Sequence, residues 1–172
     1  MFIKSEHIYL RALEKADIEL LYSIENDTSI WHISNTLTPF SKDILSQYLE
    51  NAYQDIYTTK QLRLMICNET NEPIGTIDLF DFEPLHQRIG VGILIFEKFR
   101  KNGFAFESIE LVKEYAFKTL LVNQLYCNIG SKNTNSQLLF KKCGFTEIGI
   151  KKQWNKTSSN EFEDEIMFQC IK

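Results

Sequence analysis

The chain has 172 residues, of which 44% are hydrophobic and 24% charged, and its formal net charge at pH 7 is −4. That apolar share excludes a disordered chain, which cannot bury enough surface to offset its ordering entropy. The acidic excess excludes a general nucleic-acid binder, whose footprint is a basic face, and no apolar run is long enough for a membrane span.

The opening Met1-Phe2-Ile3-Lys4 carries no apolar run of the signal-peptide kind. The four cysteines, Cys67, Cys127, Cys143 and Cys170, show no Cys-x-x-Cys spacing, and His7, His32 and His86 show no metal-ligand spacing. A reduced cytoplasmic setting with no metal is the expectation. A chain of this length is most simply one domain, 1–172.

Ile8 to Ala12 reads as a strand and Lys15 to Asn26 as a helix. Asp27 to Phe40 is a loop ended by Pro39. Ser41 caps a second helix running to about Ile56, lined by Leu45, Tyr48, Leu49 and Ala52. Leu62 to Cys67 and Ile74 to Phe82 are strands joined by the polar turn Asn68 to Glu72, a hairpin. Arg88 to Phe96 is a short buried strand, crowded with β-branched and aromatic residues.

Ala105, Ile109, Val112, Ala116 and Leu120 then recur at helical spacing. Between that strand and that helix lies Arg100-Lys101-Asn102-Gly103-Phe104-Ala105. The first N–H groups of a helix lack internal partners and the macrodipole is positive there, so this junction favours an anion such as a phosphate. Gly103 tolerates positive φ and lets a ligand approach the backbone. Asn123 to Ile129 is a further strand, and Asn133 or Thr134 caps a helix with Ser136, Leu139, Phe140 and Cys143 on its inner face, stopped by Gly144. Phe145 to about Trp154 and Phe162 to Ile171 complete the strands, the last turning Ile166, Phe168 and Cys170 inward.

The order Arg-x-x-Gly-x-Ala, helix, strand, Asn-x-x-Ser, short helix, Gly-Phe, strand resembles the GNAT superfamily of N-acetyltransferases. The opening Ile8-Tyr9-Leu10-Arg11-Ala12-Leu13 followed by a helix is similar to its branch of spermidine, diamine and ribosomal-protein N-acetyltransferases. The resemblance runs from about Tyr9 to Cys170. It implies a single α+β domain with a mixed, mostly antiparallel sheet of six to seven strands, splayed at the central strand, and about four helices.

By that resemblance the cosubstrate is acetyl-CoA. Its pantetheine arm would lie along Ile93, Leu94 and Ile95, which are equally good as core. The pyrophosphate would sit on the N–H groups from Arg100 through Lys101, Asn102, Gly103 and Phe104 to Ala105. Asn133, Ser136, Phe140 and Lys142 would hold the other side, Asn133 serving equally well as a plain helix cap.

Two positions depart from the family pattern. Many relatives carry a proton-donating tyrosine where this chain has Phe140, and a glutamate on the central strand where it has Ile89-Gly90-Val91-Gly92. The nearest carboxylate left in the expected cleft is Asp78, which alternation points either into the groove or into water. Relatives that use polyamines have an acid at that aligned place. Tyr126 is a candidate proton donor or a structural tyrosine, and Trp31, His32, Asp78 and Asp81 are candidates for the acceptor pocket. A free amine, with a pKa of about 10.4, must lose a proton before it attacks a thioester, so such groups matter.

The resemblance thus implies acetyl transfer to a primary amine, a small polyamine or diamine first. Relatives acting on spermidine have an acid-rich loop between the first two helices, whereas Ile33 to Thr38 contains no acid. A diamine, an amino-sugar nucleotide, an aminoglycoside, a peptide N-terminus, a non-catalytic acyl-CoA binding module and a homo-oligomer all stay open.

Overall fold

The computed structural model describes residues 3–31, 36–52, 54–157 and 159–172. Among them, β1 (Ile3–Lys4), β2 (Ile8–Ala12), β3 (Leu62–Asn68), β4 (Pro73–Glu83), β5 (Arg88–Ile95), β6 (Gln124–Gly130), β7 (Thr146–Lys156) and β8 (Phe162–Ile171) form one sheet in the order β1-β2-β3-β4-β5-β6-β8-β7. Only β5 with β6 is parallel; the other pairings are antiparallel. The sheet has one strand beyond the six to seven expected, because Ile3 and Lys4 fold back onto Leu10 and Tyr9.

The parallel pairing is short. Arg88, Ile89 and Gly90 face Gln124, Leu125 and Tyr126, and there the two strands part. From Val91 onward β5 pairs only with β4, and from Cys127 onward β6 pairs only with β8. The expected splay at the central strand is this divergence.

Helix α4 (Phe104–Lys118) covers one face of the sheet. Its Ile109, Val112 and Ala116 are fully buried in a core with Ile77, Leu79, Ile89, Val91, Leu125, Cys127, Ile166 and Phe168. Burying each Ile, Leu or Val in full contributes about 1.5–3 kcal/mol, which outweighs the modest helix propensity of the β-branched residues in α4. Helices α1 (Ile18–Glu25) and α2 (Lys42–Glu50) pack on each other through Leu21, Leu45 and Leu49.

Two helix boundaries differ from the sequence reading. The stretch from Lys15 opens as a 3-10 turn over Lys15–Asp17 before α1 begins. The expected long helix from Ser41 to Ile56 stops at Glu50, where the Asn51 amide bonds back to the Gln47 carbonyl at 2.9 Å. Asp55 then caps a separate short helix, α3 (Ile56–Thr59), accepting the Thr58 N–H at 2.9 Å. Asn and Asp side chains compete for backbone partners in this way, which apolar spacing alone does not reveal.

Asp17 is the anchor of the entry to α1. It is 5% exposed, accepts two bonds from the Arg11 guanidinium at 2.7 and 2.8 Å, and accepts the Glu14 N–H at 2.8 Å. Burial alone would raise its carboxyl; the Arg11 bonds, the Glu14 N–H and the Arg11 charge outweigh burial and hold it below the ordinary carboxylate range. A lowered folded pKa means stability present above the unfolded value and lost as pH falls through the folded one. In urea unfolding at pH 7, Asp17→Asn is expected to cost about 3 kcal/mol, the order measured when one partner of a buried pair is removed. The gap between wild type and variant should narrow as pH falls below about 4.

Candidate functional site

The site is built where β5 leaves β6. Residues 91–95 of β5 have no strand partner on the β6 side, so their backbone groups on that side are open to a ligand that can lie like a strand. Ile93 and Leu94 are half-buried here, and Ile95 is buried in the core.

The end of β5 leads through a 3-10 turn, Glu97–Phe99, into the segment 100–105. Lys101 has φ +67 and Gly103 φ +85, so two residues of this turn take the left-handed conformation before Phe104 starts α4. No atom lies within 4 Å of the position a Gly103 Cβ would take, so the backbone there is open to close approach. Arg100 donates from Nε to the Ile95 carbonyl at 3.0 Å, and Asn102 donates to the Phe99 and Arg100 carbonyls at 3.2 and 3.3 Å. These bonds hold the turn while Phe104 and Ala105 begin a 15-residue helix whose first N–H groups lack internal partners.

Beyond β6, Asn133 caps α5 (Thr134–Lys142), its Oδ1 accepting the Ser136 N–H at 3.2 Å. Phe140 is 3% exposed, edge-on to Phe145 at 5.0 Å, so it packs the core. Lys142 is exposed, with its ammonium 4.7 Å from the Phe106 ring centre on α4.

The other half of the site lies on the sheet face opposite α4. Cross-strand register places Thr76, Asp78 and Phe80 of β4 against Leu94, Gly92 and Gly90 of β5, and Gly90 against Tyr126 of β6. Asp78 is half-buried and held: Arg63, its partner on β3, donates from Nε to Oδ1 at 2.5 Å. Arg63 also donates from Nη1 to Glu25, the last residue of α1. No hydrogen bond reaches Asp78 Oδ2 among the described residues. Burial pushes the Asp78 carboxyl up, Arg63 pulls it down and the Glu25 charge adds to the rise; the net direction is upward.

Tyr126 is half-buried and donates to Asp81 Oδ2 at 3.4 Å, while its ring stands edge-on to Phe80. Burial, then the Asp81 carboxylate, raises its phenol above the ordinary value. It therefore keeps its proton at neutral pH. Asp81 itself sits at φ +49 in the irregular end of β4. Trp31 donates its indole N–H to the Glu25 carbonyl at 2.8 Å, which ties the segment after α1 to the Arg63 cluster. His32 and residues 33–35 lie outside the described residues.

Sequence reasoning missed Arg63, Glu25 and Phe80. Arg63 becomes legible once the β3–β4 register is known, since it faces Asp78; Glu25 comes from a helix end and left no local signal. Among the described residues no three His, Cys, Asp or Glu side chains form a metal-holding group, and no helix is long and apolar enough to cross a membrane.

Arg63→Gln would leave two carboxylates on one another's doorstep. It is expected to lose about 3 kcal/mol at pH 7 by urea unfolding. Part of that loss should return as pH falls and Asp78 protonates, because burial and the neighbouring Glu25 charge already disfavour its charged form. A loss that stays constant with pH would show that Arg63 acts by packing alone.

The chain matches the Acetyltransferase (GNAT) domain family over residues 7–146. The spermidine N(1)-acetyltransferase of Vibrio cholerae is 22% identical over 156 residues, covering 84% of this chain and 82% of the relative. The uncharacterized N-acetyltransferase p20 of Bacillus licheniformis is 24% identical over 170 residues, covering 98% and 94%. The crystal structure of spermidine N-acetyltransferase from Vibrio cholerae in complex with CoA and spermine has the same fold, with a TM-score of 0.87 and 21% identity over 97% of this chain and 96% of that one. Matched from His7 to Thr146, across the helices, the splayed strands and the turn at the start of α4, the chain belongs to the acetyltransferase (GNAT) family.

Proposed function

We propose that this chain transfers an acetyl group from acetyl-CoA to a small primary amine, a polyamine or diamine first. The observation that carries the reading is the β5–β6 divergence, ending at a turn of exposed N–H groups before α4. The CoA and spermine named for the similar structure support the cosubstrate and the acceptor class.

In this reading the backbone groups on the open side of β5 from Ile93 to Ile95, apart from the Ile95 carbonyl that Arg100 holds, bind the pantetheine arm. The N–H groups from Lys101 to Ala105 hold the pyrophosphate, helped by Arg100. Lys142 and the Asn133–Ser136 cap flank the cofactor from α5. Holding thioester and amine together is itself a large part of the rate, since well-oriented pairs reach effective molarities of about 10⁵ M or more.

Asp78 then accepts, directly or through water, the proton that the amine must shed, using the Oδ2 oxygen that Arg63 leaves open. The amine nitrogen bonds to the acetyl carbon, the carbon–sulfur bond breaks, and Tyr126 or solvent protonates the departing thiolate. Phe140 cannot take that last role: it has no ionisable proton and is buried. Asp78, Glu25 and Arg63 together carry one net negative charge, which favours an ammonium beside them.

Free-thiol release from acetyl-CoA, measured with spermidine, spermine, putrescine, aminoglycosides and short peptides, tests the reading. Release with polyamines or diamines is expected, and Asp78→Asn should slow it about 100-fold, the lower end for a positioned acid or base. The acid limb of the wild-type rate profile should lie above the ordinary aspartate range and vanish in that variant. Activity on peptides alone would identify a protein N-terminal acetyltransferase. Tight CoA binding without release on any amine would identify a binding module.

A further inference from the structure

The central strand has no side chain at position 90 for a steric reason. Phe80 lies across from Gly90 on β4, and a Cβ built on Gly90 would fall 2.3 Å from ring atom Cε2, 2.6 Å from Cζ and 2.7 Å from Cδ2. The next glycine on the same face, Gly92, would bring its Cβ 3.7 Å from that same ring. One aromatic ring therefore roofs two successive positions that have no side chain of their own.

Those positions flank the point where β5 and β6 separate, since Gly90 with Tyr126 is their last pair. The ring is half-buried, and it meets the Tyr126 ring edge-on at 6.0 Å and 84°. Asp78 stands two residues earlier on the same strand face, opposite Gly92. Gly92 thus has Asp78 across from it on β4 and the Phe80 ring beside the place its own side chain would take. Among the described residues, the three atoms nearest a Gly90 Cβ all belong to the Phe80 ring, and a Gly92 Cβ would meet that ring alone within 4 Å.

We propose that Phe80 sets the size of the acceptor: its ring closes the trough over Gly90 and Gly92 and admits an unbranched amine to Asp78 while turning away a bulky one. The role rests on the acetyl-transfer reading above. In an apolar pocket one methylene changes kcat/KM by roughly 10–200-fold, so a whole ring is ample to decide between acceptors. A ring that merely packs over glycine, the ordinary aromatic–glycine pairing of sheets, would stabilise the fold and leave the ranking of amines untouched.

The test compares putrescine with benzylamine as acceptors. Thiol release gives kcat/KM for each, and calorimetry gives the affinity of the protein for each amine. Phe80→Ala is expected to raise the benzylamine-to-putrescine ratio of kcat/KM at least tenfold, with the affinity ratio moving the same way. Phe80→Leu, which keeps most of the packing and guards against a misfolded alanine variant, should move both ratios less. Gly90→Ala forces the ring toward the trough and should lower them. An unchanged ranking in both Phe80 variants, with wild-type turnover intact, overturns the size role alone. Absence of both turnover and binding with every amine, in the wild type, overturns the acetyl-transfer reading beneath it.

Discussion

Everything distinctive about this molecule follows from one interruption of backbone pairing. Strands β5 and β6 share three residue pairs and then separate, which leaves a strand edge inside a sheet whose α4 face is well packed. An interior edge of this kind is costly unless something hydrogen-bonds to it. Here the opening leads from β5 straight to a turn with two left-handed residues and the start of a 15-residue helix. A long ligand with an amide-bearing arm and a phosphate end matches that path in both shape and charge.

The opposite face shows how the chain places charge without a glutamate on the central strand. Arg63 bonds to Asp78 and to Glu25, so one guanidinium joins β3, β4 and the end of α1. The cluster is only partly exposed, which strengthens its internal interactions, and among the described residues no hydrogen bond reaches Asp78 Oδ2. Trp31, bonded to the Glu25 carbonyl, extends the connection to the segment between the first two helices.

Much of the fold was legible in the sequence because the relevant periodicities are strong. The Asn68–Glu72 hairpin turn, the apolar stripe of α4 and the inward Ile166, Phe168 and Cys170 all stand where alternation or helical spacing puts them. The break between α2 and α3 was not, because it depends on Asn51 and Asp55 bonding to nearby backbone while the apolar pattern runs on. The site divides in the same way. The turn at 100–105 is local and carries a local signature, whereas the Arg63 cluster and the Phe80 ring over Gly90 depend on which strand neighbours which and in what register. Sequence reading could note that Gly90 replaces an acid; only the register shows that a ring from the next strand occupies the space.

Amide hydrogen exchange with and without CoA tests the central claim most directly, because it reads the backbone groups themselves. Binding in the divergence predicts added protection at Val91–Ile95 and at Lys101–Phe106, with β1 and β2 unchanged. Binding that protected other segments and left these two as they were would contradict the account.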